Sequence, residues 1–248
     1  MKKILLLVSV IGICVACTPD EGKGGLASIE GVVMTQNINS LQEKSGEMYP
    51  ATDADVYISY GESGLADDKG RTGYNGKYKF SNLTKGDYTI FVYSDDTLSN
   101  TKYPKLTFSQ KVSLDKKKTE AVADTMIVYK HVDYDDGGGI VMGKAYQLLC
   151  KTSAKGDTIV DTIFAQDEDV FIRYKNSNTV LKKIQVDYKG DFRLDNLIPG
   201  QYTLYMFSQV FNYFATNNEF VTRDFEITAD KSVCIVEPIY TKNYKKLN

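Results

Sequence analysis

The 248-residue sequence contains no tryptophan, only one histidine and only five prolines. The single histidine, His131, excludes a histidine-based catalytic triad and a histidine-rich zinc site within one chain. The serine nucleophile pattern G-x-S-x-G does not occur either, and no pair of carboxylates is singled out by its context. We therefore expect a protein that is not an enzyme and that holds neither a cofactor nor a metal.

Acidic and basic residues nearly balance, with 30 Lys and Arg against 32 Asp and Glu, so the formal net charge is −2. No nucleic-acid partner is expected, because such proteins carry a basic patch or stripe. At the N-terminus, Lys2 and Lys3 precede a short apolar segment from Ile4 to Ile13. This segment is typical of a secretory signal and is too short to span a bilayer as a permanent helix.

The signal segment ends in CVAC, residues 14–17, which resembles the lipobox of bacterial lipoprotein precursors. In a lipobox a small residue precedes a cysteine that is lipidated and becomes the new N-terminus, and Ala16–Cys17 fits this order. Cys14 departs from the pattern, since Leu is usual there. The resemblance implies that residues 1–16 are removed and that a lipid on Cys17 anchors the protein in the outer membrane. The alternative is a plain secretory signal with an unmodified cysteine.

Residues 18–25, TPDEGKGG, are polar and rich in glycine. Together with Cys17 they predict a flexible tether over residues 17–25. The acidic pair behind the lipidated cysteine also resembles the export signal of surface-displayed lipoproteins in some Gram-negative bacteria. We therefore expect the protein to face outwards; the alternative is an ordinary solvated linker.

One stretch of nineteen residues occurs twice. GKYKFSNLTKGDYTIFVYS begins at Gly76, and GDFRLDNLIPGQYTLYMFS begins at Gly190, 114 positions later. The segment DADVYISY at Asp53 matches DEDVFIRY at Asp167 with the same offset of 114. A constant offset of this size predicts a duplicated domain rather than a solenoid.

Each copy reads as a series of short strands. Apolar residues alternate with polar ones in DVYISY and KYKFSNL, which is typical of strands with one buried face. Asn75-Gly76 favours a tight hairpin turn. In the repeated strand, Tyr88, Ile90 and Val92 form one face, and Tyr202, Leu204 and Met206 form the matching face of the second copy. About seven strands per copy predict an all-β fold of two tandem antiparallel β-sandwiches.

These segments resemble the carboxypeptidase regulatory-like domain, a prealbumin-like, Ig-like sandwich. The features that carry the resemblance are a Gly near the first strand (Gly31 and Gly143), the DADV-type strand, and the pattern G-x-Y-x-F-x-N-L-x-x-G-x-Y-x-I. The resemblance covers most of the chain twice and implies a non-catalytic accessory domain. We predict one sandwich over residues 26–130, an acidic and glycine-rich linker with some freedom over 131–138, and a second sandwich with a polar tail over 139–248.

Cys150 and Cys234 lie near the first and last strands of the second copy. In domains of the resembled type these strands are neighbours, and an exported protein meets an oxidising compartment. The resemblance therefore implies a disulfide between Cys150 and Cys234. The alternative is two buried free thiols.

The segment QVFNYFATNNEF, residues 209–220, is aromatic only in the second copy. We predict a loop here whose rings, Phe211, Tyr213, Phe214 and Phe220, contact a ligand or partner, since flat rings among amides stack on sugars or anchor proteins. The alternative is that the rings cover the end of the sandwich.

The sequence therefore predicts a non-catalytic, lipid-anchored binding or spacer module at the cell surface, contacting a glycan or a surface protein complex. The alternative is a pilin-like or adhesive structural subunit, which requires a strand that can be donated or displaced.

Overall fold

The computed structural model describes residues 21–62, 64–97, 105–117, 119–153, 156–212 and 215–244. These residues form strands, turns and irregular segments, without helix, and so include no helix long and apolar enough to cross a membrane. The predicted signal segment and Cys17 lie outside the described residues.

The first unit contains nine strands within this part of the chain. They are β1 (Lys23–Ile38), β2 (Lys44–Pro50), β3 (Asp55–Tyr60), β4 (Asp68–Arg71), β5 (Lys77–Leu83), β6 (Gly86–Asp95), β7 (Lys105–Leu114), β8 (Glu120–Val122) and β9 (Met126–His131). The second unit repeats them in the same order. They are β10 (Gly139–Ser153), β11 (Gly156–Phe164), β12 (Asp169–Tyr174), β13 (Lys182–Gln185), β14 (Asp191–Leu197), β15 (Gly200–Asn212), β16 (Ala215–Ile227), β17 (Val233–Ile235) and β18 (Ile239–Asn243).

Each unit has two sheets packed face to face. In the first unit one sheet has the order β2-β1-β5, with β8 and β9 also paired to β1, and the other has the order β4-β3-β6-β7. The second unit has the orders β11-β10-β14, with β17 and β18 on β10, and β13-β12-β15-β16. The first strand of each unit pairs in parallel with its last two strands, and the remaining described pairs are antiparallel. The predicted all-β sandwich fold is confirmed.

Alternation along the strands fills the space between the sheets. The faces predicted to be buried, Tyr88-Ile90-Val92 and Tyr202-Leu204-Met206, are each at most 1% exposed. They belong to two separate clusters of buried side chains, one drawn from residues 27–126 and one from residues 141–239. Each unit therefore has its own hydrophobic core.

Several residues that are identical in both copies of the nineteen-residue repeat have structural roles. The Tyr88 hydroxyl donates to the Thr84 carbonyl at 2.8 Å, and the Tyr202 hydroxyl donates to the Ile198 carbonyl at 2.9 Å. This is the tyrosine corner, which ties a buried ring to the backbone four residues earlier. The shared asparagine, at residues 82 and 196, has a positive φ of 60° and 68°, a conformation that asparagine adopts more readily than most residues.

The shared serine at the end of the repeat caps the last strand of each unit. The Ser94 hydroxyl accepts a hydrogen bond from the backbone N–H of Tyr129 at 2.7 Å, and Ser208 accepts one from Lys242 at 2.9 Å. The repeated sequence is therefore a set of instructions for the sandwich.

The glycine-rich segments before the two units are less free than the sequence predicts. The Thr84 N–H donates to the Gly22 carbonyl at 2.8 Å, and Lys23 begins β1, so the end of the predicted tether is part of the fold. In the predicted linker, Gly137 N–H donates to the Asn196 carbonyl at 3.0 Å. A Cβ on Gly137 would lie 2.2 Å from the Leu197 carbonyl oxygen. Gly137 therefore permits a close backbone approach that a larger residue would block.

His131 also differs from its prediction as a linker residue. It is the last residue of β9, and its backbone N–H donates to Asp95 Oδ2 at 3.0 Å. Burial opposes ionisation of Asp95, but hydrogen bonds from Lys105 and from His131 N–H hold its pKa below the usual value. The ring nitrogen Nε2 of His131 is 2.8 Å from the Asp96 carbonyl oxygen. The histidine is thus built into the edge of the first unit.

The two units touch through the turn between β1 and β2. Leu41 of the first unit packs against the core of the second. The Ser45 hydroxyl donates to the Pro199 carbonyl at 2.7 Å, and Asn176 Nδ2 donates to Glu43 Oε1 at 3.0 Å. The units are therefore joined by side-chain contacts as well as by the connecting segment.

The disulfide expected between Cys150 and Cys234 is wrong for this structure, in which both cysteines are free. The strands that carry them are neighbours, as expected, but Cys234 lies opposite Val141. Cys150 is nine residues further along the same strand, or about 30 Å at ~3.3 Å per residue. Disulfides need Cα atoms within about 7 Å, so the register excludes the bond.

Candidate functional site: an aromatic sheet face

The outer face of the sheet β13-β12-β15-β16 carries a group of four rings, which we call the aromatic patch: Phe171, Tyr205, Phe207 and Phe220. The patch arises from the alternation of side chains along β15, whose successive residues point to opposite faces of the sheet. Tyr202, Leu204 and Met206 point into the core, so Tyr205 and Phe207 point outwards. Sheet register then sets their neighbours, because Tyr205 lies opposite Phe171 and Phe207 lies opposite Phe220.

The rings of the aromatic patch touch one another. Phe171 stacks on Tyr205 with centroids 5.1 Å apart and planes at 13°. Phe207 meets Phe171 edge to face at 5.5 Å, and Phe220 meets Tyr205 edge to face at 5.2 Å. Offset stacks and edge-to-face contacts are the favoured arrangements of aromatic pairs. The patch is thus a packed apolar surface rather than four separately placed rings.

The patch is open to solvent at one side. Phe207 is 46% exposed and Phe220 is 63% exposed. The other two rings, Phe171 and Tyr205, are of intermediate exposure. Ring contacts across the strands bury part of this apolar area and stabilise the sheet, and the exposed part of Phe207 and Phe220 is free to contact another molecule.

A groove of about 320 Å³ runs beside the patch, lined by Tyr205, Phe220, Thr222, Arg173 and Asn178. Arg173 is held there because its Nη1 donates to the carbonyls of Ser177 and Lys175. A guanidinium, an amide and a hydroxyl beside two rings combine an apolar platform with directional hydrogen-bonding groups.

The carboxylate of Asp224, next to the groove, is held in place by its neighbours. The Thr203 hydroxyl donates to Asp224 Oδ1 at 2.7 Å, and Lys175 Nζ lies 3.3 Å from Asp224 Oδ2. These contacts, with the Thr203 bond foremost, hold the pKa of Asp224 below its usual value. Asp224 is therefore an anion at neutral pH and partly offsets the cations beside it.

The structure places the four predicted contact residues differently from a single aromatic loop. Phe220 lies on β16 in the aromatic patch, and Phe211 lies on β15, opposite Thr216. Tyr213 and Phe214 lie outside the described residues. Most of the predicted loop is instead strand, since β15 continues to Asn212 and β16 starts at Ala215.

Sequence reasoning missed three of the four patch residues. The signal was present in the repeat itself, because QYTLYMFS carries large apolar residues at both alternating sets of positions. A strand with one solvated face should carry polar residues on it. The outward rings of Tyr205 and Phe207 break that rule and could have marked the surface.

Within the described ranges, no group of three or more His, Cys, Asp or Glu side chains could hold a metal ion. What the fold and this face define is a class: an all-β sandwich protein with an aromatic outer sheet face. No family model matches the chain, and no curated protein matches it. The resemblance to the carboxypeptidase regulatory-like domain is therefore not confirmed.

Some solved structures match the chain at low identity and low TM-score. The minor pilin of Streptococcus agalactiae is 12% identical, with 90% of this chain and 98% of that chain covered and a TM-score of 0.31. The shaft pilin of Lactobacillus rhamnosus is 11% identical, with 85% and 96% covered and a TM-score of 0.24. A DUF3823 family protein from Bacteroides uniformis is 10% identical, with 82% and 99% covered and a TM-score of 0.20. Likeness at these values carries no argument about function.

Proposed function

We propose that the protein is a non-catalytic carbohydrate-binding module of the bacterial cell surface, and that the aromatic patch of the second unit is its binding platform. The observation that carries this proposal is the pair of exposed, mutually packed rings Phe207 and Phe220 beside the Arg173 groove. Sugar rings have apolar C–H faces that lie flat on aromatic rings, and their hydroxyls need donors and acceptors at the rim.

The groove supplies such a rim. Asn178 provides both a donor and an acceptor, Thr222 provides a hydroxyl, and Arg173 provides donors that suit hydroxyl or carboxylate oxygens. A purely apolar partner would leave these groups without hydrogen bonds on binding, which costs free energy. The mixture of rings and polar groups therefore favours a glycan over an apolar protein segment.

The proposed location follows from the N-terminus. A lipid on Cys17 would anchor the chain in the outer membrane, and residue 21 already contacts the fold near Gly86. The first unit would thus stand close to the membrane, with the aromatic patch in the unit further along the chain. Protease shaving of whole cells tests outward display, since complete protection of the protein contradicts it.

The binding proposal is tested with the Phe207→Ala/Phe220→Ala variant in affinity electrophoresis through gels containing dextran, mannan or alginate. Each ring is expected to contribute about 1 kcal/mol or more, so retention should weaken at least about fivefold per ring. Tyr188→Ala is the matched control, because Tyr188 is an aromatic residue of the same unit that is 66% exposed and lies outside the patch. Equal retention of all three proteins would contradict the proposal, as would failure of the unchanged chain to bind any of these polysaccharides.

A second candidate, a structural subunit that assembles by strand addition, is favoured by β11. This strand pairs only with β10 within the described part of the chain, and its Ile159, Val160, Ile163 and Phe164 are all exposed. An apolar edge strand is a template for another strand. Sedimentation of the protein with and without Ile159→Lys tests this candidate, which a strictly monomeric chain contradicts.

A further inference from the structure

The first unit carries the same arrangement of rings at the same offset. Tyr57, Phe91 and Tyr93, which we call the first-unit triad, precede Phe171, Tyr205 and Phe207 by 114 positions. Tyr57 stacks on Phe91 at 5.3 Å with planes at 15°, and Tyr93 meets Tyr57 edge to face at 5.3 Å. The outer ring, Tyr93, is 50% exposed. Phe91 is only 8% exposed, so the nineteen-residue repeat places one exposed ring, Tyr93 or Phe207, on the outer sheet face of each unit.

A groove lies beside this triad at the position that corresponds to the Arg173 groove. Its volume is about 420 Å³. It lies between the rings of Phe91 and Tyr93 on β6 and the loop from β3 to β4. Besides Phe91 and Tyr93, its lining includes the hydroxyls of Thr107 and Ser109 and the charged ends of Glu62 and Lys111. Thr107 and Ser109 occupy the ladder positions that Phe220 and Thr222 occupy in the second unit.

We propose that the first-unit groove is a second carbohydrate-binding site, so that one chain binds two glycan segments. The inference rests on the proposed function and extends it to a surface on the other unit. The occupant is inferred from the lining, which combines a half-exposed ring and the exposed side chain of Leu65 with hydroxyls, one cation and one anion. Sugar hydroxyls match such a rim, whereas an apolar peptide would desolvate it without replacing its hydrogen bonds.

The two sites differ in one respect that should affect affinity. The second unit has a fourth ring, Phe220, where the first unit has Thr107, so the first site offers less stacking area and more hydroxyl contacts. We expect it to be the weaker site. Two linked sites raise the overall affinity for a long polysaccharide above that of either site alone.

The absence of tryptophan from the sequence allows each groove to be observed separately. Tyr93→Trp places a single indole in the first groove, and Phe207→Trp places one in the aromatic patch, against the Phe220 ring that lines the second groove. Both keep an aromatic platform. Tyr74→Trp is the control, because Tyr74 is exposed and lies outside both grooves. Indole emission of each full-length variant is recorded while dextran, mannan or alginate is added.

We expect a saturable change in emission for Tyr93→Trp and Phe207→Trp with the same polysaccharide, and none for Tyr74→Trp. A response from Phe207→Trp with a flat Tyr93→Trp would overturn the second site and leave the proposed function standing. Flat traces from both would overturn both. As a measurement independent of the indole, Tyr93→Ala added to Phe220→Ala should weaken the remaining retention at least fivefold, and unchanged retention would refute the second site.

Discussion

Phe220 on β16 lies directly opposite Phe207 on β15, and the two ring centroids are 5.2 Å apart. At the corresponding place in the first unit, Tyr93 lies opposite Thr107. The two units therefore share three outward rings, and the fourth distinguishes the second unit. This single ladder position offers a direct test of what the additional ring contributes.

Exchanging the residues at this ladder position should weaken polysaccharide binding at the second groove and strengthen it at the first. Phe220→Thr is expected to weaken polysaccharide retention at least about fivefold, because it removes an exposed stacking ring. Thr107→Phe should strengthen binding at the first groove, because the new ring would lie opposite Tyr93. Affinity electrophoresis of both variants measures the changes, with Tyr188→Ala as the control. If Thr107→Phe weakens binding, the hydroxyl at this position matters more than ring area.

The thiols should be fully accessible to alkylation after unfolding without reductant. Cys234 on β17 lies opposite Val141 of β10, and Cys150 is nine residues further along β10, which at ~3.3 Å per residue is far beyond disulfide reach. Peptide mass mapping after iodoacetamide treatment in denaturant should therefore show Cys150 and Cys234 both modified, and adding a reductant first should not change the result. A mass increase seen only after reduction would show a disulfide and contradict this register.

Much of the fold is predictable from the sequence because it depends on local rules. The alternation in KYKFSNL and the tyrosine at residues 88 and 202 specify strands and a buried face. The pairing register is not local, and so the disulfide was wrong although the neighbouring strands were correctly identified. Alternation along β10 and β17 indicates which face of each strand is buried, but it does not indicate which residue of β10 lies opposite Cys234.

The candidate site was harder to predict for a related reason. Tyr205 and Phe171 are 34 positions apart in the sequence and meet only because β12 and β15 are adjacent. Phe220 was recognised because it differs between the copies. Phe91 and Tyr93 lie in the segment that both copies share, so a comparison of the copies does not mark them. Comparing the two copies marks the residues that differ between them. It does not mark residues that both copies share, even where these have a function.

Tyr202→Phe should destabilise the second unit by about 1 kcal/mol, because it removes the hydrogen bond to the Ile198 carbonyl and leaves that buried acceptor unpaired. Tyr88→Phe should cost at least as much, since the Tyr88 hydroxyl also accepts from Gly22 N–H at 3.2 Å. Urea denaturation followed by circular dichroism measures both changes. Tyr205→Phe is the control, as its ring lies on the outer face; equal stability of all four proteins would contradict a structural role for the tyrosine corner.

Gly143→Ala is expected to destabilise the protein by about 1–3 kcal/mol, the usual cost of overpacking. A Cβ at this position would lie 2.6 Å from Phe192 Cζ and 2.7 Å from Val236 Cγ2. Gly73→Ala is the matched control, since its nearest neighbour would be Asn75 Oδ1 at an ordinary 3.5 Å. Urea midpoints distinguish the two variants. Similar midpoints would show that the Phe192 ring does not lie against Gly143 of β10.

Stability should fall steeply at alkaline pH because buried tyrosines must stay protonated in the folded protein. Burial raises the pKa of Tyr78 to about 12, against an ordinary value near 10. Between those pH values the unfolded chain loses the proton and the folded chain keeps it, so the free energy of unfolding falls by about 1.4 kcal/mol per pH unit for this residue. Below the ordinary pKa the residue has no such effect.

The Tyr78→Phe variant isolates this contribution. Among the described residues the Tyr78 hydroxyl has no hydrogen-bond partner, and the second unit has Phe192 in its place, so removal of the hydroxyl should raise stability by about 1 kcal/mol near pH 8. From pH 10 to pH 11.5 the advantage of the variant over the unchanged chain should grow, because one titrating group is gone. Urea denaturation at pH 8, 10 and 11 gives this difference directly and cancels the titration of lysines common to both proteins. A difference that stays constant with pH would mean that the Tyr78 hydroxyl is accessible to water.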